Sequence, residues 1–154
     1  MIREANPADR ESIQRLYQIL CPGEPINVLG ERIEQISHDP NSYLFVVEDG
    51  GAVTATAFVT VCLDPMFGWQ PYAVMENVVV DETVRGQGVG SRLLEHIERI
   101  CRELHCSKIM LLSSSKRTHA HTFFSRLGYS DTVSKGFKKY LGGRTIERGT
   151  ESDS

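Results

Sequence analysis

The stretch "VVVDETVRGQGVGSRLLEHIERI", Val78 to Ile100, decides how the rest of the chain is read. A β-branched run stops at Val80, a loop comes next in which Gly86, Gly88 and Gly90 alternate with Gln87 and Val89, and an amphipathic helix begins. Val89, Leu93, Leu94, Ile97, Ile100, Cys101 and Leu104 recur at the helical period and mark one wide apolar face. The start of such a helix leaves backbone N–H groups without partners and carries a partial positive charge, so it attracts phosphate. Glycines let a ligand reach that backbone. Arg85 and the amides of Gly86, Gln87, Gly88, Val89, Gly90 and Ser91 therefore form a candidate seat for a pyrophosphate. A tight turn needed only for packing would explain the same glycines. Two other phosphate loops are excluded by spacing: no Gly-Lys-Ser/Thr ending is present, and Ser91 stands where a dinucleotide fingerprint needs its third glycine.

Upstream of this stretch the chain reads as helix, helix, hairpin and strand. Asn6-Pro7 is a helix start, succeeded by a stripe of Ile13, Leu16, Tyr17 and Leu20, and Cys21-Pro22-Gly23 is its stop. A second, shorter helix is predicted from Asn27 to Ser37, with Leu29, Ile33 and Ile36 inward. "SYLFVVE" and "AVTATAFVTVC" are β-rich runs joined by Asp49-Gly50-Gly51, which predicts an antiparallel hairpin. "LDPMFGWQP", Leu63 to Pro71, is a loop carrying Met66, Phe67 and Trp69, and it is expected to border a pocket together with the first two helices. "YAVMENVVV" is then a strand leading into the glycine loop.

Downstream, "KIMLLSSS" is a strand, and the strand, helix, strand order predicts a parallel, right-handed crossover pair. "THAHTFFSRLGY" is a helix with Ala120, Phe123, Phe124 and Leu127 on one side and Gly128 at its end. A last strand or pair is predicted through "KGFKKYL". From Gly142 the chain is polar and glycine-rich and reads as a mobile tail, so one domain is expected over 1–141 and a tail over 142–154.

A chain of 154 residues suits one domain with its own core, and 40% hydrophobic with 24% charged residues is ordinary for a globular protein. The formal charge of −3 argues against broad binding to nucleic acid or an anionic membrane, which needs a positive field. No secretory signal pattern and no membrane-length apolar run is found, so a cytoplasmic location is expected. Cys21, Cys62, Cys101 and Cys106 stand at irregular spacing and read as reduced core or helix-face residues, and no metal site is expected of them or of the histidines.

Two blocks together carry a resemblance. Arg85, Gly88 and Gly90 match the Arg/Gln-x-x-Gly-x-Gly/Ala motif of the GCN5-related N-acetyltransferases (GNAT), and "AHTFFSRLGY" is similar to that family's later Ala-His-x-Phe-Tyr-x-x-x-Gly-Phe/Tyr helix. The resemblance implies a mixed α/β fold, the acyl-CoA N-acyltransferase fold: a mostly antiparallel sheet with one splayed parallel strand pair, flanked by about four helices. It implies acetyl-CoA as cosubstrate, with its diphosphate on residues 86–91 and its pantetheine arm along backbone groups of Val78, Val79 and Val80. Arg117, Ala120 and Phe124 of the later helix are implied as further cofactor contacts. Homodimers are frequent in such a family, so a homodimer is an open expectation.

The reaction so implied is acyl transfer to a neutral amine, which needs a base. Glu76 resembles the glutamate that some members use, directly or through water. As a carboxylate in an apolar strand it is expected to hold its proton more tightly than usual. A structural or substrate-binding glutamate is the other reading. Strand alternation sends Asn77 to the opposite face, which makes it the weaker candidate. Phe124 stands where many relatives have a tyrosine held to protonate the leaving thiolate, so the acid is left to Tyr129, Tyr140, His121 or water. The C-terminal pattern is similar to a branch acetylating small free amines. The expected function is a small-amine N-acetyltransferase, with a protein or peptide N-acetyltransferase and a non-catalytic acyl-CoA sensor of the same fold as the alternatives.

Overall fold

A computed structural model describes residues 1–142. Beyond Gly142 the predicted tail lies outside the described residues. The described residues divide into two compact units, one made of Met1–Pro22 and Ile26–Leu112, the other of Gly23–Pro25 and residues 113–142.

The first unit is built on one sheet of five strands in the order β1 (Ile2–Glu4), β2 (Ser42–Asp49), β3 (Ala52–Cys62), β4 (Tyr72–Val80) and β5 (Ile109–Leu111). The first four are antiparallel to their neighbours, and β5 runs parallel to β4, as the crossover order predicts. The hairpin also forms as predicted. Asp49 pairs with Ala52 across Gly50 and Gly51, whose φ values of +60° and +80° are those a two-residue turn demands.

Strand β2 is buried from Leu44 to Val47 because the sheet is covered on both faces. Leu44 and Val46 pack with Ile13 and Leu16 of α1 (Arg10–Leu20) and Ile33 of α2 (Gly30–Ser37). Phe45 points the other way and meets His96 of α3 (Val89–Glu103) edge-on, 5.1 Å between ring centres. Leu93, Leu94 and Ile97 of α3 are wholly inaccessible, and burial of each such side chain contributes about 1.5–3 kcal/mol. Leu104, expected on that face, caps the helix end and is partly exposed.

Several boundaries differ from the sequence reading for local reasons. Asn6 caps a 3-10 turn, Pro7–Asp9, rather than α1 itself, and Asp9 returns the bond by accepting from the Asn6 amide at 2.8 Å. Helix α2 begins at Gly30, not Asn27: Leu29 is extended at φ −104°, ψ 128° and exposed, so it is the cap residue and not an inward one. Strand β1 has no counterpart in the sequence reading. It is three residues long and has no alternation to read, yet it pairs with Phe45 to Val47.

In the second unit α4 (Thr118–Arg126) buries Ala120 and Phe124 and stops where Gly128 turns left-handed at φ +91°. Phe124 sits between Phe123 and Tyr129, with ring centres 5.4 and 6.0 Å away. The strand predicted through "KGFKKYL" does not form: residues 135–141 carry no strand, and Phe137 and Leu141 are exposed. Lys135, Lys138 and Lys139 leave that segment no continuous apolar face to bury.

Candidate active site

Strand β4 brings the candidate residues together, and it does so by breaking its own regularity. Thr56 of β3 pairs with Val79 and Phe58 with Glu76, two steps along β3 against three along β4. The extra residue is a β-bulge. Asn77 occupies it at φ +55°, a left-handed conformation that Asn tolerates better than most side chains and that a β-branched neighbour would resist. The bulge turns Asn77 into a cavity of about 420 Å³ in the first unit, lined by Tyr17 of α1, Arg32, Gln35 and Ile36 of α2, and Phe58 of β3 among others. Alternation sets Asn77 aside only where the pleat is unbroken, and at this residue it is broken.

In the sequence Tyr17 reads only as part of a buried stripe, and periodicity cannot reveal what its hydroxyl meets. Burial pushes its phenol up to about 12, and a hydrogen bond with Asn77 works against that rise. Tyr17 is therefore neutral across the physiological range. The wall carrying α2 is pinned through Gln14, which donates to Ile26 O and accepts from the Val28 amide, both at 2.8 Å.

Glu76 stands beside the bulge, but its side chain is exposed, not set among apolar neighbours as expected. It is not among the cavity's lining residues, although its neighbour Asn77 and its cross-strand partner Phe58 both are. The loop Leu63 to Pro71 does not line the cavity either. Leu63, Met66, Phe67 and Trp69 face solvent, since nothing in the loop folds back to bury them.

At its far end β4 delivers the glycine loop. Pairing with β5 stops at Met75, so Val78, Val79 and Val80 have β3 on one side and an open edge on the other among the described residues. Asp81 organises the turn out of β4: it takes a hydrogen bond from the Thr83 amide at 3.1 Å and an ion pair from Arg15, which hold its carboxyl below the usual range. Arg85 folds back to donate from Nε to Val80 O at 3.3 Å. Gly86 and Gly88 are left-handed at φ +83° and +79°, and a Cβ on either would meet nothing within 4 Å. Gly88 is the N-cap of α3 and supplies no side-chain cap. Among the described residues, the Gln87 amide reaches Val84 O and that of Arg92 reaches Gly88 O, while the amides of Gly88, Val89, Gly90 and Ser91 find no protein partner. Bare donors at a positive helix end, with open space before them, fit a diphosphate.

Arg117, Ala120 and Phe124 belong to the second unit. Arg117 is the residue before α4, and Ala120 and Phe124 lie on its buried face. His121 is engaged through Nε2 with Ser114 O at 2.8 Å, which marks it as a structural donor there. Among the described residues no group of three or more His, Cys, Asp or Glu side chains is arranged to hold a metal ion, and no helix is long and apolar enough to cross a membrane.

The acetyltransferase (GNAT) family model matches residues 11–129. Among solved structures, a protein of Agrobacterium tumefaciens assigned to the acetyltransferases superposes with a TM-score of 0.83 at 29% identity, covering 91% of this chain and 99% of that one. Glucosamine-6-phosphate N-acetyltransferase from Arabidopsis thaliana superposes with a TM-score of 0.76 at 26% identity, covering 92% and 98%. The YxbD protein of Bacillus subtilis is 33% identical over 54 residues, 35% of this chain and 34% of that protein. The match thus spans about a third of the length of that curated relative.

Proposed function

Because the chain belongs to the acetyltransferase (GNAT) family, enzymes whose acyl donor is acetyl-CoA, we propose that it transfers the acetyl group of acetyl-CoA to the primary amine of a small molecule. One observation carries this reading. A single strand, β4, opens at its bulge into a cavity and ends in a loop of unpartnered amides, so an acceptor and a thioester carrier would meet along it. The volume of the cavity, about 420 Å³, falls within the range of small-molecule sites, which supports a small acceptor.

In this reading the amides of residues 86–91 and Arg85 hold the diphosphate, with the helix end supplying positive potential where the charge sits. The open edge of Val78, Val79 and Val80 receives the pantetheine arm as an added strand would be received, by backbone bonds that leave the valine side chains to the packing. The amine must be neutral when it attacks the thioester carbonyl, and Glu76 is the group that takes its proton. Glu76 is exposed, which suits a relay through one water between amine and carboxylate as well as direct contact. Tyr17, protonated at neutral pH, is not a base but can donate or accept a hydrogen bond to orient the acceptor. A coenzyme A thiolate is a tolerable leaving group, so Phe124 in place of a tyrosine does not forbid turnover. A cytoplasmic location goes with a supply of acetyl-CoA.

The test is release of free thiol from acetyl-CoA across small amines, amino acids and peptides. Turnover with small amines is the expected result. Turnover with peptides alone would replace the acceptor class, and binding of acetyl-CoA without any turnover would make the protein a sensor.

A further inference from the structure

Helix α1 bonds to β4 at two points, and between them lies the stretch assigned to the pantetheine arm. Tyr17 shares a hydrogen bond with Asn77 at the bulge, and Arg15 forms an ion pair with Asp81 where the strand ends. The residues so bracketed are Val78, Val79 and Val80, which the pairing with β5 does not reach. Asp81 divides its two oxygens between α1 and the loop. Oδ2 accepts from Nη1 of Arg15, while Oδ1 accepts from the Thr83 amide at 3.1 Å and the Thr83 hydroxyl at 3.0 Å. The Asp81 amide bonds Thr54 O of β3 at 2.8 Å, and Nη2 of Arg15 donates to Val53 O in the same strand at 3.2 Å. One guanidinium thus ties the start of β3 to the carboxylate that caps the 3-10 turn Glu82–Val84. Two backbone bonds carry the constraint onward, from the Val84 amide to Asp81 O at 3.1 Å and from the Gln87 amide to Val84 O at 3.3 Å. The amides of Gly88 to Ser91 come next.

Resting on the reading of those amides as a diphosphate seat, we propose that Arg15 is a positioning residue for acetyl-CoA: acting through Asp81, it holds the glycine loop in line with the open edge of β4. The pantetheine arm and the diphosphate belong to one molecule, so an error in the angle between edge and loop costs one contact or the other. A loop already set at the right angle spares the carrier that ordering cost. The exposure of Arg15 separates this role from a contribution to folding. Its side chain is 49% exposed, and an ion pair so placed adds little to stability. Arg3 and Asp9, at 24% and 7%, form the more buried pair, and Arg3 lies on β1, at the other edge of the sheet from β4 and β5.

The experiment measures coenzyme A binding by titration calorimetry, together with the melting temperature, for wild type, Arg15→Gln, Arg15→Lys, Asp81→Asn and the double variant Arg15→Gln/Asp81→Asn. Arg3→Gln is the control. Asp81→Asn keeps an oxygen to cap the turn at Thr83 and removes the charge that Arg15 meets, so it decides the matter alone should Arg15→Gln fail to fold. Arg15→Gln and Asp81→Asn are expected to weaken coenzyme A binding about 3- to 30-fold, the range for residues that act on a site through others, with little change in melting temperature. The double variant should bind no more weakly than the worse single one, since both break the same link, and Arg15→Lys should recover part of the loss. Arg3→Gln should melt lower and bind coenzyme A as wild type does. Wild-type affinity in Arg15→Gln and Asp81→Asn overturns the role of Arg15 and leaves the diphosphate seat intact. A loss that only tracks the fall in melting temperature, in Arg3→Gln as in the others, does the same. A wild type that does not bind coenzyme A at all sinks the seat, and the role of Arg15 with it.

Discussion

Replacing Gly88 by Ala tests whether the glycine loop is shaped for a ligand or only for a turn. Gly88 sits at φ +79°, ψ 9°, and a methyl added there meets no protein atom within 4 Å. The protein therefore loses only the backbone term, about 1–2 kcal/mol for holding an L-residue left-handed. For a chain of this size each kcal/mol lowers the melting temperature by about 2–4 °C. The same methyl projects into the open space where the diphosphate is proposed to lie. Binding of coenzyme A, read by titration calorimetry, should then weaken at least tenfold, about 1.4 kcal/mol. Gly68 is the control: it is left-handed at φ +66°, its added Cβ also meets nothing within 4 Å, and it lies in the loop between β3 and β4. Gly68→Ala should lower stability by a similar amount and leave coenzyme A affinity unchanged. If Gly88→Ala binds coenzyme A no worse than Gly68→Ala does, the loop is a turn and nothing more.

Glu76→Gln should reduce kcat by about 10²–10⁴, the range for loss of a general base, while calorimetry shows the coenzyme A affinity of wild type. A variant as fast as wild type would remove Glu76 from the reaction. Asp9 gives a prediction on stability. Its carboxyl is held below the ordinary range first by the Arg3 guanidinium, at 2.8 and 2.9 Å, and also by the Asn6 amide, with burial opposing. Because its folded value lies below its unfolded value of about 3.9, the stabilisation is fully present above that pH and is lost as pH falls through the folded value. Asp9→Asn should thus lower stability near neutrality by about 1–3 kcal/mol in urea unfolding, with the deficit shrinking below about pH 4. A deficit independent of pH would show that the carboxylate's charge is not what matters.

The parts of the fold that can be read in the sequence are those where one local rule decides. Asp49-Gly50-Gly51 demands a tight hairpin, the spacing from Val89 to Cys101 demands a helix with one buried face, and Val78 to Gly90 announces a strand that passes through a glycine loop into that helix. The parts that cannot be read depend on distant partners. Three residues of β1 gain strand geometry only from β2, and "KGFKKYL" has strand-forming residues without a face to bury. The acceptor side is the least legible. Alternation puts Asn77 on the wrong side because a bulge is a mismatch between two strands and leaves no mark on either one alone. Tyr17 and Arg32 are an ordinary helical tyrosine and an ordinary surface arginine until α1, α2 and β4 close around one cavity.

The offset absorbed at Asn77 also means that the two halves of β4 answer to separate registers. A chimaera spliced between Asn77 and Val78 would take the cavity-lining half of the strand from one parent and the half that leads into the glycine loop from another, each keeping its own register against β3. Dropping a single residue at that joint would instead remove the bulge and leave Val79 and Val80 opposite Thr56 and Ala55, with the alternation running unbroken from Glu76. Recombination at this point offers such proteins a route to a new cavity lining that leaves the glycine-loop end of the strand untouched.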